Sequence, residues 1–162
     1  MNSQLEQFED GLDRVTRALN YLTGVFLGRR GLSMSRYRIL RYLLSRDEVN
    51  MSQMQSHLLV SGPTLTELVD GLVQGGLVQR VRDRGDRRMV FLQLTGAGRE
   101  LYREVLAFRC SCLTDALGGD GTVLDQANGL LNGIYLGLKR QIEEPAGCKG
   151  QDGERCDKDL GC

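Results

Sequence analysis

Apolar residues recur at helical spacing over most of this chain and at strand spacing in only one short region. Between Ser3 and Leu27 they alternate in steps of three and four, which predicts a long helix with a continuous apolar seam. Similar stripes predict five further helices, which begin near Met34, Met51, Pro63, Gly96 and Thr122. The runs 77–81 and 89–94 predict two short strands. The pattern therefore predicts a mainly α fold with one small β-hairpin.

The middle of the chain carries start and stop signals for two short helices joined by a tight turn. Asn50 and Gln53 have the spacing of a capping box, and we expect the helix that they start to end near Val60. Pro63 suits the first turn of the next helix, because its missing N–H costs nothing there. The glycine pair that begins at Gly75 supplies the stop. Two short helices joined in this way predict a helix-turn-helix.

The two predicted strands follow the helix-turn-helix directly, and the tip between them, residues 82–88, is rich in arginine. A basic hairpin in this place is typical of a wing that contacts phosphate. The alternative interpretation is an ordinary charged hairpin on the protein surface.

The formal net charge of the chain is zero, but the charge is unevenly distributed. Residues 29–104 hold 13 Lys and Arg against 8 Asp and Glu, a net charge of +5, whereas residues 1–28 carry −2 and residues 105–162 carry −3. Positive charge around a helix-turn-helix favours a nucleic-acid partner. Four arginines of the second predicted helix either form a solvated face or contact phosphate, and the sequence leaves this open: Arg36, Arg38, Arg41 and Arg46.

The length of 162 residues suffices for one domain with a substantial core. We expect a soluble, cytoplasmic protein without a membrane partner, because no apolar run approaches the length of a membrane span. The sequence shows no Ser/His/Asp set, no paired catalytic carboxylates and no phosphate-binding loop. An enzyme is therefore not expected.

An ordered set of residues in this region resembles the MarR-type transcriptional regulators. The set comprises Leu58 to Ser61, Thr64 to Thr66, Leu68 to Asp70 with Leu72, Gly76 to Arg80, Asp86 to Arg88, Leu94, Thr95 and Gly98. The resemblance covers roughly residues 5–142 and implies a winged helix-turn-helix with a helical dimerisation body and a small β-hairpin wing. It implies a homodimer on double-stranded DNA, with one winged lobe over each half-site of a palindromic operator, and repression is the expected effect.

The same resemblance divides the chain into segments. It implies a dimerisation helix at 1–28, a DNA-binding lobe at 29–95 and dimerisation helices at 96–142, and the composition changes again at 143–162. It also implies that the helix beginning at Pro63 enters the major groove, and that the wing touches the minor groove and phosphates.

Candidate DNA contacts fall into a hydroxyl group and an arginine group. Hydroxyls near the start of the recognition helix can hydrogen-bond to base edges, and threonine methyls can contact thymine. Between Gly62 and Gly76 there is no Lys or Arg, and Glu67 and Gly71 stand where the family often carries arginines. Charge-driven affinity must therefore come from the wing and the second helix. By analogy with the family, a wing aspartate orients an arginine, Asp86 and Arg88 here. The candidate residues are Ser61, Thr64, Thr66, Arg80, Arg82, Arg84, Asp86, Arg87 and Arg88.

The segment 143–162 is rich in glycine and charge, and holds three of the five cysteines, Cys148, Cys156 and Cys162. Three thiolates on a glycine-rich segment can bind a soft metal centre. Their spacing resembles the cluster loop of iron-sulfur winged-helix repressors, and we expect an iron-sulfur cluster. A zinc site, a disulfide switch and an unstructured tail remain alternatives. A fourth ligand is left open among Cys110, Cys112, Glu154, Asp157 and Asp159.

Three functional hypotheses follow. In the first, this thiol-bound centre controls operator binding, because loss of the centre shifts the last helix and so the spacing of the two recognition helices. In the second, the regulator binds a small apolar ligand in a pocket between dimer body and winged lobe, lined by Tyr21, Tyr37 and Tyr102. The third, from another class, is a protein-interaction or metal-handling module that does not bind DNA, and the acidic recognition helix is its only support.

Overall fold

The computed structural model describes residues 3–46, 48–82, 90–118 and 121–143. The helices are α1 (Ser3–Gly28), α2 (Met34–Leu44), α3 (Met51–Leu58), α4 (Gly62–Gln74), α5 (Gly96–Ala116) and α6 (Gly121–Glu143). The strands are β1 (Val49–Asn50), β2 (Val78–Arg82) and β3 (Val90–Leu94). The prediction of a mainly α fold with a small antiparallel sheet is confirmed. By its internal contacts the chain divides into residues 1–112 and residues 113–162, and each unit is described by itself.

The start of α3 is fixed by the predicted capping box. The Gln53 N–H donates to Asn50 Oδ1 at 2.9 Å, and the Asn50 N–H donates to Gln53 Oε1 at 3.0 Å. The helix ends two residues before Val60, close to its predicted end. Leu59 adopts a left-handed conformation (φ 53°) in which its N–H donates to the Gln55 carbonyl oxygen at 3.0 Å, so the helix ends at Leu58. Leu59 points outward and is 89% exposed.

The sheet has the strand order β1-β3-β2, and both pairings are antiparallel. The hairpin of β2 and β3 pairs Val78 with Leu94 and Arg82 with Val90. β1 was not predicted, because two residues are too few to show an alternating pattern. Asn50, the N-cap of α3, also pairs with Phe91 in β3, so one residue belongs to both the sheet and the helix-turn-helix.

One apolar core holds the lobe together. It combines side chains from α2, α3, α4 and all three strands: Ile39, Leu40, Leu43, Val49, Met54, Leu65, Val69, Leu72, Val78, Leu92 and Leu94. Each such side chain stabilises the fold by about 1.5 to 3 kcal/mol relative to its exposed state. A smaller cluster around Leu27, Tyr37 and Val105 joins α1, α2 and α5. These contacts fix α4 against the sheet and leave its other face on the surface.

α5 begins where the sequence predicts. The Thr95 hydroxyl donates to the Gly76 carbonyl oxygen at 2.7 Å and accepts from the Gly98 N–H at 3.0 Å. A Cβ at Gly98 would overlap the carbonyl oxygen of Leu77 and would lie 3.1 Å from Leu94 Cδ2. Only glycine allows this close approach between α5 and the start of β2.

Apolar side chains remain exposed along α1 and along α6. On α1 they include Leu5, Phe8, Leu12, Val15 and Leu22, and on α6 they include Leu124, Leu130, Leu131, Leu138 and Ile142. The glycines of α6, Gly129, Gly133 and Gly137, have open space where a Cβ would lie. Within the described residues, no helix is long and apolar enough to cross a membrane.

Candidate nucleic-acid interface

The outer face of α4 forms the floor of an open groove on the lobe. Its buried face carries Leu65, Val69 and Leu72. The opposite face lines a groove of about 690 Å³ together with one side chain of α2, and the lining residues are Arg36, Pro63, Thr66, Glu67, Asp70, Gly71 and Gln74. A helix held by its apolar face and open on its polar face has the arrangement that major-groove recognition requires.

The three predicted hydroxyls lie at the N-terminal end of this face, and all are exposed. Ser61 is the N-cap of α4, and its hydroxyl lies 2.7 Å from the Thr64 hydroxyl. The Thr66 hydroxyl donates to the Gly62 carbonyl oxygen at 3.0 Å. Thr66 therefore offers acceptor lone pairs and a methyl group, whereas the Ser61–Thr64 pair retains one hydroxyl proton to donate.

The predicted arginines of the wing lie partly within the described residues. Arg80 on β2 forms an ion pair with Asp70 on α4, with 2.6 Å between Nη2 and Oδ1. Both side chains are exposed, so the pair contributes at most about 1 kcal/mol of stability, but it ties the wing strand to the recognition helix. Arg82 is exposed at the end of β2. The remaining predicted wing residues, Arg84, Asp86, Arg87 and Arg88, lie outside the described residues.

The arginines predicted for the second helix have different surroundings, which the sequence could not distinguish, and Arg46 lies beyond the end of α2 at Leu44. The Arg46 guanidinium lies 4.1 Å from the centre of the Tyr42 ring, and that ring stacks on His57 at 3.9 Å. Burial against this stack lowers the pKa of His57, and the charges of Arg46 and Arg41 lower it further. His57 is therefore less readily protonated than a free histidine side chain. Arg36, by contrast, lies over Gly71 of α4.

A second cavity, of about 610 Å³, opens between the end of α1, the start of α2, α4 and α5. Leu32, Leu72, Leu77 and Leu101 line it, and an Arg30–Glu104 ion pair of 3.0 Å stands at its edge. The three tyrosines that the sequence suggests as a pocket lining are not among the residues that line this cavity. Tyr37 is buried instead in the α1–α2–α5 cluster and stacks on Tyr102 with 6.0 Å between ring centroids, and Tyr21 is 72% exposed. Burial, and then Tyr102, raise the pKa of Tyr37, so its hydroxyl stays protonated at neutral pH.

The predicted metal ligands Cys148, Cys156 and Cys162 lie outside the described residues, as do the carboxylates of 154, 157 and 159. On α5, Cys110 is exposed and Cys112 is half-buried, and both are free thiols. Nowhere in the described part of the chain do three His, Cys, Asp or Glu side chains gather around a common point.

The family model described as "MarR family" matches residues 30–89. Among curated proteins, the chain is similar to the HTH-type transcriptional regulator TtmR of Methylorubrum extorquens, with 32% identity over 122 residues, 75% of this chain and 60% of TtmR. FarR of Neisseria gonorrhoeae, another HTH-type transcriptional regulator, is 28% identical over 59% of this chain and 65% of its own length. The chain thus spans less than two thirds of these relatives.

Solved structures share the fold. The transcriptional regulator Tm0710 from Thermotoga maritima superposes with a TM-score of 0.72 at 21% identity, over 85% of this chain and 98% of Tm0710. A mutant of S. aureus MepR, bound to an oligodeoxyribonucleotide, gives a TM-score of 0.62 at 17% identity, over 81% of this chain and 97% of MepR. These relatives are transcriptional regulators and not enzymes, which confirms that prediction. Residues 30–89 of this chain therefore match the MarR family model, within a winged helix-turn-helix fold that the chain shares with these structures.

Proposed function

We propose that this chain is a transcriptional regulator that binds double-stranded DNA through α4 and the wing. The observation that carries the proposal is the exposed face of α4, whose N-terminal end presents Ser61 and Thr64. Arg80 and Arg82 lie on the adjoining strand, where they can neutralise phosphates. The MarR family match of residues 30–89 and the DNA-bound state of the MepR mutant support the same assignment.

The active form is a homodimer on a palindromic operator. The exposed apolar side chains of α1 and α6 support this, because continuous apolar stripes on helices are more stable when another surface covers them. A two-fold dimer presents two identical lobes, and each binds one half-site about 34 to 36 Å from the other. Repression follows if such an operator overlaps a promoter.

The test is the salt dependence of DNA binding. Duplexes selected from a random pool by the protein are used, and the dissociation constant is measured by fluorescence anisotropy. With four or more phosphate contacts per dimer, affinity should fall by at least about 100-fold between about 50 and 200 mM salt, linearly on logarithmic axes. A protein-interaction module would select no duplex, or would bind DNA with an affinity indifferent to salt, and either result would refute the proposal.

Control of DNA binding is assigned to Cys148, Cys156 and Cys162, which would hold an iron-sulfur cluster. The support is the sequence alone, in which three soft ligands lie on a glycine-rich segment. Bound there, the cluster would supply a redox-sensitive crosslink whose loss changes the position of the preceding helix. A zinc ion or a disulfide switch uses the same thiols.

A second candidate signal is a small ligand in the 610 Å³ cavity. Its leucine lining favours an apolar body, and Arg30 at its edge can bind a polar or anionic group. Because the cavity borders both α4 and α5, a ligand there would change the position of the recognition helix α4.

Visible absorption with iron and sulfide analysis, on protein purified without oxygen, separates the two signals. We expect a brown protein whose colour and iron are lost when the three tail cysteines are replaced by serine. We expect the same variant to lose the response of operator affinity to oxidant. A colourless, iron-free wild-type protein would contradict the cluster and leave the cavity, a zinc ion or thiol switching as the signal.

A further inference from the structure

The recognition helix is acidic, although its proposed function is to bind DNA, which is a polyanion. Residues 62–76 include no Lys or Arg, and the outer face of α4 presents the carboxylates of Glu67 and Asp70. Asp70 is paired with Arg80, but Glu67 has no ion-pair partner among the described residues. A surface that approaches a polyanion needs positive charge close to these groups.

Arg36 brings that charge to α4 from the neighbouring helix. Its side chain is half-buried and crosses from α2 to lie over Gly71. A Cβ at position 71 would be 3.0 Å from Arg36 Nε and 2.7 Å from Cζ, and would overlap Nη2. The guanidinium therefore occupies the space that a side chain at position 71 would fill. It can lie there because residue 71 is glycine.

The Arg36 guanidinium differs from three other arginines of the same unit, each of which has a partner. Arg80 is paired with Asp70, Arg30 is paired with Glu104, and Arg46 covers the Tyr42 ring. Among the described residues, the Arg36 guanidinium has neither an ion pair nor a hydrogen bond, although it lines the same groove as Glu67 and Asp70. Its five N–H groups are thus available to an anion that enters the groove.

We propose that Arg36 is a phosphate-binding residue of the recognition face, delivered across Gly71 to a helix that has no basic residue of its own. The proposal rests on the DNA-binding function proposed above. Gly71 lies in the C-terminal third of α4, whereas the N-terminal residues of a recognition helix contact base edges. Arg36 therefore faces the sugar-phosphate backbone, and guanidinium groups bind phosphate through paired N–H donors.

The experiment compares Arg36→Ala, Gly71→Ala and the double variant. Binding is measured by fluorescence anisotropy to a duplex selected by the wild-type protein and to a mixed-sequence duplex of about 30 base pairs. Arg36→Ala should weaken binding about tenfold on both duplexes and reduce the salt slope by about 1 per lobe. Arg38→Ala is the matched control. It removes the same charge from the opposite side of α2 and should change affinity less than about twofold.

Gly71→Ala leaves every charge in place and only displaces the guanidinium. It should also weaken binding about tenfold, while the thermal unfolding midpoint stays equal or rises, because alanine favours a helix more than glycine does. In the double variant the two effects should not add, since Arg36 is already absent.

Three results would overturn the assignment: unchanged binding by Arg36→Ala, a loss confined to the selected duplex, which indicates a base contact, or additive losses in the double variant. Failure of the wild-type protein to bind either duplex would instead refute the proposed function itself.

Discussion

Thr64→Glu is expected to abolish operator binding without weakening the fold. Thr64 is the third residue of α4, and Ser61 is the N-cap. Glutamate at this position can complete a capping box with Ser61 and interacts favourably with the N-terminal end of the helix dipole. The same carboxylate would meet DNA at the end of α4 that approaches the bases. Because a dimer carries two copies, affinity should fall by at least about 1000-fold.

Thr64→Gln is the matched control for this prediction. Glutamine completes the same capping box but adds no charge, so its operator affinity should stay within about tenfold of the wild type. Thermal unfolding, followed by circular dichroism, should show neither variant less stable than the wild type by more than about 1 kcal/mol. Equal loss of binding in both variants would mean that the hydroxyl, and not the charge, decides the effect. Unchanged binding by Thr64→Glu would place the start of α4 away from DNA.

Leu131→Asp is expected to turn the proposed dimer into a monomer. Leu131 is 50% exposed on α6, within the apolar row that we assign to the dimer interface. Burial of a leucine contributes about 1.5 to 3 kcal/mol, and a two-fold interface contains the substitution twice. Dimer dissociation should therefore become at least about 100-fold more favourable. Operator affinity should fall by a similar factor, since a monomer binds only one half-site.

Asn132→Asp supplies the control, because it places the same charge on the neighbouring, exposed polar position of α6. Sedimentation equilibrium should give a dimer for this variant and a monomer for Leu131→Asp at the same concentration. A Leu131→Asp protein that remains dimeric, or a wild-type protein that sediments as a monomer, would exclude this row from the interface.

Much of the fold could be predicted because the ends of its helices are determined by residues close together in sequence. The capping box of Asn50, Pro63 in the first turn of α4 and the Thr95 start of α5 each depend on residues within a few positions of one another. The glycine stop after α4 is equally local, and Gly76 adopts φ +68°. Such signals act before tertiary structure forms, and a single sequence shows them.

The features that were missed depend on residues distant in sequence. Arg36 and Gly71 lie 35 positions apart, so nothing local indicates that the arginine fills the space above the glycine. The same holds for β1, which becomes a strand only because β3 lies beside it. For the candidate site, the sequence identified the hydroxyls and arginines, whereas the pairing of Arg80 with Asp70 needed the structure. DNA contact by these residues stays a prediction.

The double membership of Asn50 in β1 and at the cap of α3 constrains how this lobe can respond to a signal. Because Asn50 joins the sheet to the helix-turn-helix, and Arg80 links β2 of the same sheet to α4, we expect the lobe to move as one block. The distance between α4 and the strands β2 and β3 is then expected to stay constant. In the proposed dimer, a signal would then change only the separation or the tilt of two such lobes. A change in the spacing of the two DNA half-sites should therefore affect operator affinity as the signal does. Inserted base pairs between the half-sites should lower this affinity more than base substitutions do.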